Sequence, residues 1–202
     1  MKILTFVDLH LSKKMYLKLK KKAKNIDVIL CAGDITIFGN GQKFILNKLN
    51  KFNKPLFIVH GNHEIPSHLK KSCKSFHYIK FIHKKIVKYD NLIVIGYGGG
   101  GFSMIDTKFM KFGKNVLKKM KKLKRKKKVT KIILLTHAPP YKTKLDKIFD
   151  NYCGNKSIRK FIEEAKPDYA IGGHFHENFN KKDKIGNTKI LNPGPAGQII
   201  RI

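Results

Sequence analysis

Short apolar runs recur along the chain, and each stops abruptly at polar residues. Residues 3–7, 28–32, 56–59, 132–135 and 169–171 are brief and almost wholly apolar, which predicts strands buried on both faces. Between them the apolar positions change to a helical period. Ser12 can cap a helix reaching about Asn25, with Met15, Tyr16, Leu19 and Ala23 inward. A second helix is predicted over 42–52 from Ile45, Leu49 and Phe52. A long one is predicted over 104–125 from Phe109, Phe112, Val116, Met120 and Leu123. Asn155 can cap another that carries Ile158, Phe161, Ile162 and Ala165, with Pro167 closing it. Residues 66–75 read as a short helix or loop. Ile86-Val87 and the run 92–95, joined at Asp90-Asn91, predict a hairpin. The tail, divided by Gly186-Asn187 and by Pro193-Gly194-Pro195, predicts antiparallel strands.

Alternating strands and helices imply an α/β fold with a largely parallel sheet over the first part. The length of 202 residues suits one domain, 1–202. No apolar run approaches the ~20 residues needed to cross a bilayer, so no membrane insertion is expected. The N-terminus opens on a strand-like segment without the features of a signal peptide. Cys31, Cys73 and Cys153 are far apart and odd in number, which argues against a disulfide framework. A cytoplasmic protein is the expectation.

The charge changes the picture more. Forty-four basic residues face 13 acidic ones, for a net +31. Such a balance brings in nucleic acid as a partner class, because lysine and arginine neutralise phosphates. A genome-wide bias toward lysine, isoleucine and asparagine also explains it, and is the favoured reading. Only Arg125, Arg159 and Arg201 are arginines, whereas phosphate and base recognition favours arginine's planar fork. The lysine-rich run 118–128 fits the solvated face and end of a helix, or a grip on nucleic acid or an acidic membrane surface.

Chemistry gathers at the ends of the apolar runs. The first ends in Asp8 and His10, the second in Asp34, the third in Asn62, His63 and Glu64. The fourth ends in His137 and the fifth in His174 and His176. In open α/β sheets ligands bind beyond the carboxyl ends of the strands. One such ending means little; five together predict a shared site. The set holds imidazoles, carboxylates and an amide without a thiolate, a donor mixture suited to manganese, iron, zinc or nickel. It is too large for one closed zinc site and suffices for two ions sharing a carboxylate, the arrangement that clamps in-line displacement at phosphorus. His60 reads as a strand-end residue. His68, His77 and His83 fall in no ligand spacing. The glycines at 96 and 98–101 are not a P-loop, since no Gly-Lys-Ser/Thr follows. They suit either a flexible loop or a place where the backbone approaches a ligand closely.

The series DLH, GD, GNHE, THAPP and GGHFH resembles the calcineurin-like metallophosphoesterase superfamily, from Asp8 to His176, with Asn192-Pro193-Gly194 resembling a further segment. The form and length are most similar to small prokaryotic phosphoesterases related to cyclic-nucleotide phosphodiesterases. The resemblance implies a four-layer αββα sandwich, two mixed sheets flanked by helices, around two divalent transition-metal ions, manganese first and nickel, iron or zinc otherwise. It implies Asp8, His10 and His176 on the first ion, Asn62, His137 and His174 on the second, and Asp34 between them. His63 would be the general acid and Glu64 its orienting partner, with hydroxide bridging the ions attacking a small phosphodiester or monoester. Val7 and Leu11 depart from a common serine and glycine, at positions that bear on substrate contacts. The alternatives are a metal-dependent nuclease and a non-catalytic binding module on the same fold; retention of the whole ligand set argues against the latter.

Overall fold

The computed structural model describes residues 1–101, 103–124 and 131–202, and the side chains of all of these except 121–124. The side chain of Leu123 and much of the lysine-rich run 118–128 therefore lie outside the described residues. The chain opens with β1 (Lys2–Phe6), α1 (Lys13–Ala23), β2 (Val28–Cys31), α2 (Gln42–Asn50), β3 (Leu56–Ile58), α3 (Pro66–Cys73) and β4 (Ile79–Phe81). It continues with β5 (Lys85–Tyr89), β6 (Leu92–Tyr97), α4 (Thr107–Lys124), β7 (Lys131–Thr136), β8 (Lys147–Ile148), β9 (Asn151–Tyr152), α5 (Lys156–Ala165) and β10 (Tyr169–Ile171). A 3-10 turn (His176–Asn178), β11 (Lys182–Ile185), β12 (Thr188–Leu191) and β13 (Gln198–Arg201) complete it.

These strands form two mixed sheets. The first runs β13-β1-β2-β3-β4 and the second β11-β12-β10-β7-β6-β5. Within the first, β1 to β4 are parallel and β13 is antiparallel to β1. Within the second, β6, β7, β10 and β12 are parallel, with β5 and β11 antiparallel at the edges. The 85–97 hairpin and the antiparallel tail follow the pattern expected. The small β8–β9 hairpin was not legible, because its strands are too short to show a period.

Alternation along the strands builds three apolar layers. Ile3, Val28, Leu30 and Val59 of the first sheet meet Val94, Ile133, Leu135 and Ile171 of the second, between the sheets. On the outer face of the first sheet, Leu4, Phe6, Ile29 and Ile58 pack against Leu19 of α1, Leu46 of α2 and Leu69 of α3. On the outer face of the second, Ile93, Ile95 and Leu134 pack against Phe109 and Val116 of α4 and Phe161 of α5. Helix, sheet, sheet, helix is the four-layer order the resemblance implied. Since β1, β2, β3, β7 and β10 are wetted on neither face, their sequences are continuously apolar.

Helix starts follow local chemistry. Ser12 accepts from the Met15 amide and Asn155 from the Ile158 amide, each satisfying a donor that the first helical turn leaves unpaired. Pro66 stands at the start of α3, where its missing N–H costs nothing. Asp106 does the same work for α4, its carboxylate accepting from Phe109 N at 2.8 Å.

Candidate metal centre

Each predicted site residue follows a strand: Asp8 after β1, Asp34 after β2, Asn62 to Glu64 after β3, His137 after β7, and His174 and His176 after β10. Their parallel direction within each sheet puts all these ends on one side. The loops extend the sheet pairing beyond the strands: Asp8 N donates to Gly33 O at 3.1 Å and His10 N to Asp34 O at 3.1 Å. Gly33 and Gly61 touch back to back, and a Cβ on Gly61 would collide with the Asp34 carboxylate, so glycine is required there. Val7 N donates to Gly194 O, which seats the Asn192-Pro193-Gly194 segment beside the first loop.

Asp8, His10, Asp34 and His174 all have φ between +42° and +73°, a left-handed region that non-glycine residues seldom occupy. Such strain persists where surrounding structure holds it, and it concentrates at functional sites.

Two clusters of donors meet around Asp34. In the first, His10 Nδ1 lies 2.8 Å from the Thr36 carbonyl oxygen. An oxygen there can only accept, so Nδ1 carries the proton and Nε2 is left as the ligating atom. His10 Nε2 faces His176 Nε2 at 3.3 Å, and His176 Nε2 is 4.0 Å from Asp8 Oδ1. Asp8 Oδ1 is buried with no hydrogen-bond partner, while Oδ2 accepts from His174 N at 3.0 Å. Burial raises the Asp8 carboxyl above its usual range, against the pull of His137.

In the second cluster, His137 Nδ1 donates to Ala32 O at 2.9 Å. Its Nε2 reaches Asn62 Oδ1 at 2.9 Å and Asp34 Oδ2 at 3.3 Å. His174 Nδ1 meets the same Asn62 oxygen at 2.9 Å. Burial works against ionisation of both His137 and Asp34, but their mutual contact prevails: His137 is raised to about 9 and Asp34 lowered to about 2. His174 is lowered to about 4, by burial first and then by repulsion from His137.

These residues fit divalent-cation binding. A buried carboxylate oxygen without a partner is costly to leave uncompensated, and beside it two imidazole nitrogens face each other and an amide oxygen meets two more, a donor set that a cation can bind. Ligating atoms of Asp8, His10 and His176, and separately of Asp8, Asp34 and His137, lie within 4.8 Å of one another. A cation between them would satisfy the orphaned groups.

Two expectations need correction or completion. Glu64 does not orient His63. Its carboxylate accepts from Asp34 N at 2.9 Å, Thr36 N at 3.0 Å, Thr36 Oγ1 at 2.7 Å and Gly61 N at 3.0 Å. The turn after Gly61 sends Glu64 into the protein and leaves His63 at the surface of the site. His63 instead receives a backbone donor, Phe38 N to Nδ1 at 3.2 Å, and its ring lies 4.5 Å from that of Phe38. With Nδ1 accepting, Nε2 is the N–H end, 4.0 Å from Asp34 Oδ2.

Other residues escaped sequence reasoning. Thr36 joins His10 to Glu64, and its only signal was its place two residues past Asp34. His60, buried as a strand-end residue, supports the glycine loop: its carbonyl accepts from Gly99 N at 2.9 Å, and a Cβ on Gly98 would strike it. The His83 ring lies 4.6 Å from that of His60, and His83 Nδ1 accepts from Gly98 N at 2.9 Å. The 96–101 glycines pack against protein, Gly98 on His60 and Gly100 on Ala138.

Comparison with known proteins gives the family and the fold. A family model described as calcineurin-like phosphoesterase matches residues 1–178. The protein MJ1162 of Methanocaldococcus jannaschii is 32% identical over 99% of this chain and 91% of its own length. Among solved structures, TT1561 of Thermus thermophilus matches with a TM-score of 0.71 at 16% identity, covering 96% of this chain and 90% of that one. The purple acid phosphatase PPD1 of yellow lupin (Lupinus luteus) seeds matches with a TM-score of 0.62 at 12% identity, covering 97% of this chain and 44% of that one. These two structures share the fold. With the family model spanning β1 to β10 and every predicted ligand, the chain belongs to the calcineurin-like phosphoesterase family.

Proposed function

We propose that this protein hydrolyses phosphodiesters, and more slowly monoesters, at a centre of two divalent ions. Asp8, His10 and His176 would hold one ion, Asn62, His137 and His174 the other, and Asp34 both. The observation that carries this reading is the convergence of His10 Nε2 and His176 Nε2 at 3.3 Å beside the partnerless Asp8 Oδ1. The mixed nitrogen and oxygen donors favour manganese, with nickel, iron or zinc as substitutes. When bound, such ions polarise a phosphoryl group and make water a usable nucleophile near neutral pH.

The chain's own residues do the rest. The carbonyls of Thr36 and Ala32 orient His10 and His137, and Asp34 supplies negative charge between the clusters. His63 presents Nε2–H toward the site, where it would hydrogen-bond the ester oxygen that departs; to deliver a proton as general acid it must be the doubly protonated ring, in which Nδ1 gives up the Phe38 N contact. Glu64 acts at one remove, tying the Asp34 and Gly61 loops together. The free cysteines suit a reducing compartment and so the cytoplasm. Among the described residues no helix is long and apolar enough to cross a membrane.

The test is a metal count on the purified protein joined to hydrolysis of bis-(p-nitrophenyl) phosphate and p-nitrophenyl phosphate with added Mn²⁺ or Ni²⁺. Metal-dependent turnover, faster on the diester and abolished by Asp34→Ala, is expected. Protein that binds no ion and turns over neither ester overturns the reading.

A further inference from the structure

The +31 charge is not carried by the site-bearing segments themselves, although Lys43 and Lys71 line a cavity with Gly39, Gly41 and His68. The site-bearing segments 7–12, 32–42, 59–68, 96–101, 136–141, 172–180 and 192–198 contain no lysine or arginine, although 44 of the 202 residues are basic. The lysines lie instead on helices such as α1 and on edge strands, as with Lys80, Lys84, Lys85 and Lys88 around β4 and β5. Lysine on edge strands discourages sheet-to-sheet pairing. A site built to follow a polyanion would carry cations along its rim.

One aromatic side chain stands out beside the site. Phe38 is 78% exposed and has φ +49°, a conformation that disfavours a bulky side chain. Thr36 Oγ1 pins the turn by accepting from Gly39 N at 3.2 Å, and Asn40 N closes it on Ile37 O at 3.0 Å. The exposed ring sits against His63, the residue assigned to the departing oxygen. A group joined to that oxygen leaves the phosphate alongside Phe38, and a planar ring is what an exposed phenyl face binds best.

We infer that the substrate is a phosphodiester with a single negative charge that bears an aromatic ring, such as a nucleobase, on its leaving side, and that Phe38 is the platform on which this ring stacks. The inference rests on the phosphoesterase reading above and sets aside a polynucleotide as the substrate.

The test uses the manganese-loaded protein and three probes: adenylyl-3′,5′-adenosine, the same diester with hydrogen in place of both bases, and an adenosine decanucleotide. The wild type should prefer the base-bearing dinucleotide over the base-free one by about tenfold in kcat/KM, the order expected of one stacked base. Phe38→Ala and Phe38→Leu should erase that preference, mainly through KM, and Phe38→Trp should keep it. Per scissile bond, the decanucleotide should be no better than the dinucleotide. A preference that survives Phe38→Ala, no preference in the wild type, or a salt-sensitive preference for the decanucleotide would each overturn the inference. Turnover of bis-(p-nitrophenyl) phosphate by the wild type separates these results from failure of the phosphoesterase reading, since without it both fall.

Discussion

His10 and His176 are 166 residues apart in the chain, yet their Nε2 atoms face each other at 3.3 Å. The Nδ1 proton of His10 is committed to a carbonyl, so nothing but a cation or a proton shared between the rings reconciles the two nitrogens. His10→Ala or His176→Ala should therefore lower manganese content from about two ions per chain to about one. Elemental analysis of the dialysed protein reads this directly, and an unchanged count would remove both histidines from the ligand set.

Glu64 is 4% exposed and accepts from three backbone amides and one hydroxyl. Glu64→Ala would strand those donors, each at a cost of roughly 1–3 kcal/mol. The variant should lose about 3 kcal/mol or more of stability in urea unfolding. Because Glu64 does not touch His63, Glu64→Gln should leave the shape of the pH–rate profile intact. A profile displaced in Glu64→Gln would restore the pairing that the geometry denies.

The Asp34–His137 contact predicts how the metal-free protein responds to pH. His137 is raised to about 9 from 6.5, so its stabilisation is complete below about pH 6.5 and fades as pH rises through 9. Asp34 is lowered to about 2 from 3.8, so its contribution is present above 3.8 and fades as pH falls through 2. Metal-free protein should lose melting temperature between pH 6.5 and 9. Binding an ion at His137 must displace its proton, whereas His174, lowered to about 4, has none to lose at neutral pH. Calorimetry of Mn²⁺ binding at pH 7.5 in buffers of different ionisation heat should show release of about one proton. Release of none would contradict the charge state assigned to His137.

His83 sets a second, metal-independent response. Burial, then His60 and Lys84, lower it to about 3 from 6.5. The unfolded chain takes up this proton first, so stability declines as pH falls from 6.5 toward 3. His83→Gln keeps an acceptor for Gly98 N without a titrating ring and should flatten that decline in the metal-free protein. An acid limb identical to the wild type's would place the titration elsewhere.

Gly61 tests how closely the two loops must approach. A Cβ there meets Asp34, so Gly61→Ala should displace that carboxylate and weaken manganese binding while the strands and helices persist. Retained metal affinity together with an unchanged circular dichroism spectrum would show that the loops can separate.

The legible parts of the fold were those with a strong period or a chemical stop. Ser12 and Asn155 announced their helices, and Gly33 and Gly61 marked where strands gave way to the site. The small β8–β9 hairpin carried too short a pattern, and Thr36, His60 and His83 carried no ligand signature. His63 and Glu64 are neighbours, and adjacency suggested partnership. A turn placed one at the site and the other beneath it.

Sequence by itself determined which segments are strands and helices, which faces they bury, and which strand ends carry imidazole, carboxylate and amide donors, because those properties depend on neighbours a few residues apart. Only the tertiary structure decided that Asp34 answers to His137, that Glu64 braces loops, and that Phe38 lies exposed against His63. Those relationships depend on how two sheets stack and how their loops turn at the common edge, and residues distant along the chain leave no local pattern of meeting there.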